Sequence, residues 1–298
     1  MHRRTFIKSA GLLAAAQLTG MTSISALKAL ENTLAPSERM PVLFVGHGNP
    51  MNAIEDNSYT QTWGRMGKDI LKRGKPQAIL VVSAHWLTRG TLVTAMEHPK
   101  TIHDFGGFPQ ALFDQQYKAP GSPDMARYTK DIITATTVGL DHEWGLDHGS
   151  WSVLLPMFPA ADIPVYQLSI DYGRPIHFHY QLGQQLSRLR DKGVLIMGSG
   201  NIVHNLGRVN WSGDGKIYDW AAEFDARFKE WMDKGDHTSL IDYQKLLGAT
   251  AQMAHPTNDH LLPLYYVLGL QQKGEKLSYF NDTIDMGSIS MRSMIMEG

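Results

Sequence analysis

The chain is 298 residues long, 43% hydrophobic and 19% charged, with a formal net charge of -1 and no cysteine. That composition fits a folded protein with an ample core, and its near-neutral balance offers no basic field to nucleic acid or an anionic membrane, which leaves small molecules as the expected partners. Without cysteine there is no thiol nucleophile, disulfide or thiolate ligand, so any metal site must be built from His, Asp or Glu.

Residues 1–39 read as an address followed by a linker. Arg3-Arg4-Thr5-Phe6-Ile7-Lys8 precedes a modest apolar segment, Ala10 to Leu18, and then small residues up to Ala26. This is the order of a twin-arginine export signal, although His2 ahead of the arginine pair departs from the usual form. A short amphipathic N-terminal helix is the competing reading. The segment is too short for a membrane span, so the expectation is export by the twin-arginine machinery to the periplasm with no stable membrane anchor, or a cytoplasmic protein if the leader does not function. One catalytic domain is expected over residues 40–298, and nothing in the sequence sets an oligomeric state.

The domain opens on PVLFVGHGNP, Pro41 to Pro50, an apolar run suited to a strand covered on both faces that stops abruptly at His47 between two glycines. Asn57 to Lys72 has helical spacing, and Ala78 to Val82 is a second fully apolar strand that runs into Ser83-Ala84-His85. Thr91 to Ala95 reads as a strand, and Thr101 to Gly121 as a long loop of the kind that is often functional. Pro123 to Val138 predicts a helix, and Ser150 is placed to cap a short one through Leu155. Val165 to Ile170 is a strand, Ile176 to Arg190 a helix, and Val194 to Met197 a strand emptying into Gly198-Ser199-Gly200-Asn201 and then His204. Trp220, Phe224, Phe228 and Trp231 form a helical stripe expected to pack on the sheet. Asn258 or Asp259 can cap a helix carrying His260, and Ser288 to Met296 ends the chain as a strand. Such alternation predicts an α/β domain with helices on both faces of one sheet.

In such sheets active sites gather at the carboxyl ends of strands. His47, His85 and His204 each follow an apolar strand and a small-residue turn, so one sheet edge would collect all three. Any one alone is better explained as a hydrogen-bonded structural histidine; three with the same local grammar point to a metal site, and imidazole suits zinc, copper and non-haem iron. His260 beside Asp259 balances between ligand and helix cap. Ser83 and Asn201 could bond a ligand or orient its neighbours, as ordinary turn residues also can. His103-Asp104 could touch substrate, though an exposed loop pair is the plainer reading; His148, in a Trp-rich loop, is better placed for a pocket wall. His177 and His179 are two apart on a helix and share no face. No Gly-x-Gly-x-x-Gly, Walker or Gly-x-Ser-x-Gly pattern occurs, which removes support for nucleotide-dependent and serine-hydrolase chemistry.

Seven segments in order, GHGNPMNAIEDN, VVSAHW, TIHDFGGFP, YKAPGSP, LDHGSW, GSGNIVHNL and HPTNDHLLPL, resemble the class III extradiol ring-cleavage dioxygenases of the LigB-type superfamily, in the 4,5-DOPA dioxygenase branch. The resemblance runs from about Met40 to the C-terminus. It implies one α/β domain with a central mixed sheet, and one divalent non-haem metal that takes a catechol and O2. His47, His85 and His260 match metal-binding positions, His204 an acid/base or ligand position, and His148 a position lining the substrate pocket. Many extradiol enzymes hold Fe(II) with two His and a carboxylate, whereas the third position here is His260, so Zn(II) is also suited to the site. A zinc hydrolase and a non-catalytic binding protein are the competing functions. Gly46 and Gly48 are expected to give metal and catechol room to approach.

Overall fold

Val42–Gly46, Ala78–Ser83 and Val194–Gly200 are buried at every position, as a strand must be when both of its faces are covered. In this computed structural model, which describes residues 38–298, they lie side by side at the centre of a six-stranded sheet. The export-signal reading falls outside the described residues. The strand order is Val165–Gln167, Ala78–Ser83, Val194–Gly200, Val42–Gly46, Ser293–Glu297, Lys276–Phe280. The first four run parallel, Ser293–Glu297 runs against them, and Lys276–Phe280, antiparallel to Ser293–Glu297, returns to their direction, so the sheet is mixed.

Successive side chains of a strand face opposite ways, and the apolar runs feed two cores accordingly. Val42, Phe44, Leu80, Val82 and Ile196 enter one core, with Phe178, Leu182 and Leu264 from helices Ile176–Gln185 and Leu262–Gly269. Leu43, Val45, Ile79, Val81 and Leu195 enter the other, with Trp63 and Ile70 from helix Ser58–Arg73 and Trp151 and Leu154 from helix His148–Met157. Asn57 caps Ser58–Arg73 by accepting from the backbone of Tyr59 and Thr60. Among the described residues no helix is long and apolar enough to cross a membrane.

Several elements differ from the sequence reading. The helix from Pro123 ends at Ile132, and Val138–Asp141 forms a strand pairing with Thr91–Thr94 outside the main sheet. The intervening Ile133-Thr134 and Thr136-Thr137 are stiff, β-branched pairs, and the amides of Thr134 and Ala135 donate to Gln185 Oε1 at 2.6 and 3.1 Å instead of continuing the helix. Val165–Ile170 breaks after Gln167, because Ile170–Asp171 leaves the sheet to pair with Leu87–Thr88. The expected helix through Arg190 is divided at Leu186, and the final strand into Ile289–Ser290 and Ser293–Glu297. The helix carrying the aromatic stripe, Asp219–Lys234, packs mainly on helices His237–Ile241 and Tyr243–Ala254 rather than on the sheet.

His179 is fully buried, with Nδ1 against Tyr266 Oη at 2.9 Å and Nε2 against the Arg174 carbonyl at 3.3 Å. Burial holds its pKa down to about 4, an effect the Arg174 carbonyl partly offsets. The unfolded chain therefore binds a proton near pH 6.5 that the fold refuses until about pH 4, so the stability His179 contributes is complete above 6.5 and is lost as pH falls through this window. The stability difference between wild type and His179→Gln is expected to shrink by on the order of 2 kcal/mol between pH 7.5 and 4.5 in urea titrations. A difference independent of pH contradicts the assignment.

Candidate active site

The three central parallel strands end level with one another, with Gly46 opposite Gly200 and Ser83 opposite Ser199. His47 follows its strand by one residue, His85 by two and His204 by four. His260 arrives differently, in the turn before helix Leu262–Gly269, and its carbonyl accepts from the Asn201 amide at 2.8 Å. His148 is the first residue of its helix, capped by Asp147 rather than Ser150: the Asp147 side chain accepts from the Ser150 amide. The expected cap at Asn258 or Asp259 is absent too, because the Asp259 carboxylate is turned to His260.

The outer nitrogens of the three clustered imidazoles decide what their inner ones can do. Ser199 Oγ donates to the Gly149 carbonyl at 2.5 Å, so His47 Nδ1, 3.0 Å from that oxygen, carries the proton and donates to it. His260 Nδ1 donates to Asp259 Oδ2 at 2.7 Å, and His85 Nδ1 faces Asp104 Oδ2 at 3.3 Å. Each ring is thereby left with a bare Nε2. The Nε2 atoms of His47 and His85 lie 3.2 Å apart, where two lone pairs repel unless a cation lies between them. Two nitrogens bound to one ion at 2.0–2.1 Å stand about 2.9–3.4 Å apart. One ring nitrogen from each of His47, His85 and His260 falls within 4.8 Å of the others, so the donor set fits a single divalent ion. Ser199 and Asp259 are the hydrogen-bond partners that fix the tautomer of a ligating imidazole, and the Asp104 carboxylate faces the third ring.

Electrostatics agree with that assignment. Burial first, then neighbouring imidazoles, hold His47 and His260 well below the ordinary histidine value, and burial with His148 brings His85 down to about 4. All three are the neutral rings that metal binding requires. His204 is not in the cluster: its ring lies flat on His260, centroids 3.5 Å apart and planes within 6°. Burial and the nearby His255 hold its pKa down to about 3.

A second group joins His85, Asp104 and His148. Asp104 Oδ1 accepts from the His148 amide at 2.9 Å and lies 3.0 Å from His148 Nδ1. Burial alone would raise the Asp104 carboxyl, but its contacts with His148 and His85 outweigh that and keep it below its ordinary value. One carboxylate thus lies between two imidazoles, bonded to the backbone of one of them. Ser83 and Asn201 do not reach the cavity: Ser83 Oγ donates to Asp147 Oδ1 at 2.6 Å and Asn201 Nδ2 to the Ser290 carbonyl at 2.8 Å. His103 also lies outside it, with Nε2 on the Gln115 carbonyl at 3.0 Å. Gly48 lines the cavity, and both glycines beside His47 also make room for Met291. A Cβ on Gly46 would meet the Met291 backbone at 2.8 Å, and one on Gly48, whose φ is +61°, the Met291 sulfur at 2.4 Å.

The imidazoles line a cavity of about 430 Å³ whose other walls include Phe105, Phe108, Val209, Trp211 and Ile289. A neutral all-histidine metal position opening into an aromatic pocket at a sheet's carboxyl edge defines a metalloenzyme for a small, largely apolar substrate. The family described as the catalytic LigB subunit of aromatic ring-opening dioxygenase matches residues 41–290, and the chain belongs to it. It is 48% identical over 269 residues, 89% of this chain and 97% of the relative, to a protein of Escherichia coli K12 named 4,5-DOPA dioxygenase extradiol. A protein of the same name from Beta vulgaris is 36% identical over 253 residues, 84% of this chain and 94% of that one. A crystal structure of an uncharacterized protein from Escherichia coli K12 superposes with a TM-score of 0.73 at 43% identity, covering 87% of this chain and 100% of the other.

Proposed function

We propose that this chain opens the ring of a catechol in the extradiol manner, with 4,5-cleavage of DOPA as the reaction, using Fe(II) held by His47, His85 and His260. The observation that carries the reading is the convergence of three imidazole nitrogens in the wall of an aromatic pocket. The names of the relatives support the substrate. Bound there, ferrous iron would acidify the catechol hydroxyls as a Lewis acid and supply the redox chemistry toward O2.

The chain's own residues do the rest. His204, neutral at pH 7, accepts a hydroxyl proton and later returns it as the ring opens, the double role that a histidine beside the reacting group can play. Its stacking on His260 fixes where that proton can go. His148 also lines the site, its ring centroid 3.8 Å from that of His85 and its backbone amide bonded to Asp104, where it can orient the incoming oxygen or the ring. Phe105, Phe108 and Ile289 exclude water and hold the ring flat. Both oxygen atoms enter one product, a semialdehyde that for DOPA is the seco-DOPA precursor of betalamic acid. The twin-arginine-like start supports export of the folded, metal-loaded enzyme.

The test is oxygen uptake by iron-reconstituted protein given a panel of catechols that includes DOPA. One O2 consumed per ring opened, with a coloured product, is expected, and zinc-loaded protein should show none. The reading falls if iron loading gives no uptake with any catechol while zinc loading gives ester or amide hydrolysis.

A further inference from the structure

Part of the cavity wall is a row of three residues in cross-strand register. Ile289 pairs with His204 on one side and with Asp285 on the other, both antiparallel. Residues directly opposite one another point to the same face of a sheet with Cβ atoms 4.5–5.5 Å apart, and all three line the cavity. The row therefore runs from an imidazole at the metal end, across an apolar side chain, to a carboxylate about 10 Å from the imidazole.

Asp285 has no task within the fold that needs its charge. Its Oδ1 accepts from the Met286 amide at 2.9 Å, and among the described residues no cation is paired with it. Half-buried, its carboxyl is raised above the ordinary value by that burial, as expected of a carboxylate that lacks a counter-ion. No Lys or Arg is among the described residues that line the cavity. The turn that presents Asp285 is rigid: Met286 sits at a φ of +48°, its carbonyl accepts from the Asn210 amide at 2.8 Å, and the Gly287 carbonyl accepts from the Tyr218 amide at 3.2 Å. A left-handed non-glycine residue held by its surroundings is the kind of local strain that collects at ligand sites.

Resting on the catechol reading above, we infer that Asp285 selects substrates by the ammonium group of the side chain, so that this site takes catechols bearing an alkylamine and does not recognise the carboxylate of an amino acid. The row matches such a molecule end to end, with hydroxyls toward His204, ring over Ile289 and ammonium at Asp285. Trp211, which also lines the cavity and is 79% exposed, offers an aromatic face to the cation. Dopamine, which lacks the carboxylate, keeps every one of these contacts, whereas 3-(3,4-dihydroxyphenyl)propanoate loses the ammonium and brings an anion toward Asp285.

The experiment compares DOPA, dopamine and that propanoate by oxygen uptake with iron-loaded enzyme, and by calorimetric binding to the same protein under anaerobic conditions. DOPA and dopamine are expected within about threefold of each other in KM and at least tenfold below the propanoate. Asp285→Asn, which keeps the acceptor for the Met286 amide, should raise KM for both amines about tenfold or more with little change in kcat, and so collapse their advantage. A propanoate that binds as well as the amines to wild type sinks the proposal, even should the variant fail to fold. So does an Asp285→Asn effect equal on all three compounds. If none of the three is turned over, the catechol reading fails separately, and the ranking of calorimetric affinities still decides the role of Asp285.

Discussion

His204→Ala is expected to keep its metal and to lose about 10²–10⁴-fold in kcat, the usual weight of a positioned acid/base, equivalent to about 3–5 kcal/mol in the barrier. His260→Ala is expected to lose metal and activity together. The contrast is geometric. His260 directs a nitrogen into the cluster with His47 and His85 and is oriented by Asp259, whereas His204 lies flat against the His260 ring and contributes no nitrogen to that cluster. Removing His204 leaves Asp259 and the His260 backbone contact with Asn201 in place, so the ligand keeps two of its restraints. Metal content per chain, measured beside single-turnover kinetics, separates the two roles. Iron missing from His204→Ala, with His260 otherwise intact, makes His204 a ligand and removes the base from the mechanism.

The strands are legible in the sequence because their signal is local. Val42–Gly46, Ala78–Ser83 and Val194–Gly200 are apolar at nearly every position, and only burial on both faces accounts for that. Their parallel pairing then brings the turns at their carboxyl ends to one edge, so His47, His85 and His204 can be read from strand ends alone. Residues whose roles depend on distant partners cannot. Asp104 sits in a loop without periodicity, and its value comes from His85 and His148, which approach from a strand end and a helix start. Ser199 matters because Gly149, 50 residues away, takes its proton and leaves its lone pair for His47. Asp259 balances between cap and partner, since both roles use the same carboxylate, and only the backbone path of Asn258 to Leu262 decides between them. The break after Gln167 has the same cause: Ile170 finds Leu87 in a separate pair of strands, a contact no window of neighbouring residues contains.

Gly200→Ala is expected to cost the enzyme its metal without touching a ligand. A Cβ at Gly200 would lie 2.1 Å from the His260 carbonyl oxygen, 3.1 Å from its carbon and 3.3 Å from Pro263 Cγ. The first two are backbone atoms, so no rotamer change relieves the overlap. The turn carrying His260 must move instead, and it is tied at that point by the 2.8 Å bond from the Asn201 amide. On the other side the Gly200 carbonyl accepts from the His47 amide at 3.1 Å, so any shift of strand Val194–Gly200 to make room carries His47 with it. Either way one bare nitrogen leaves the cluster. Overpacking at such a site costs about 1–3 kcal/mol in stability, and metal affinity should fall by at least the 10–100-fold seen when a ligand loses its orienting partner. The two effects are separable by melting with and without chelator. A bound ion stabilises the fold by mass action, so chelator should lower the wild-type melting temperature and leave that of Gly200→Ala unmoved. Gly173→Ala, at an exposed turn where the nearest atom is 3.8 Å away, serves as the control. A Gly200→Ala protein that melts like wild type and still responds to chelator shows that the close approach of these two backbones is not what holds His260 in place.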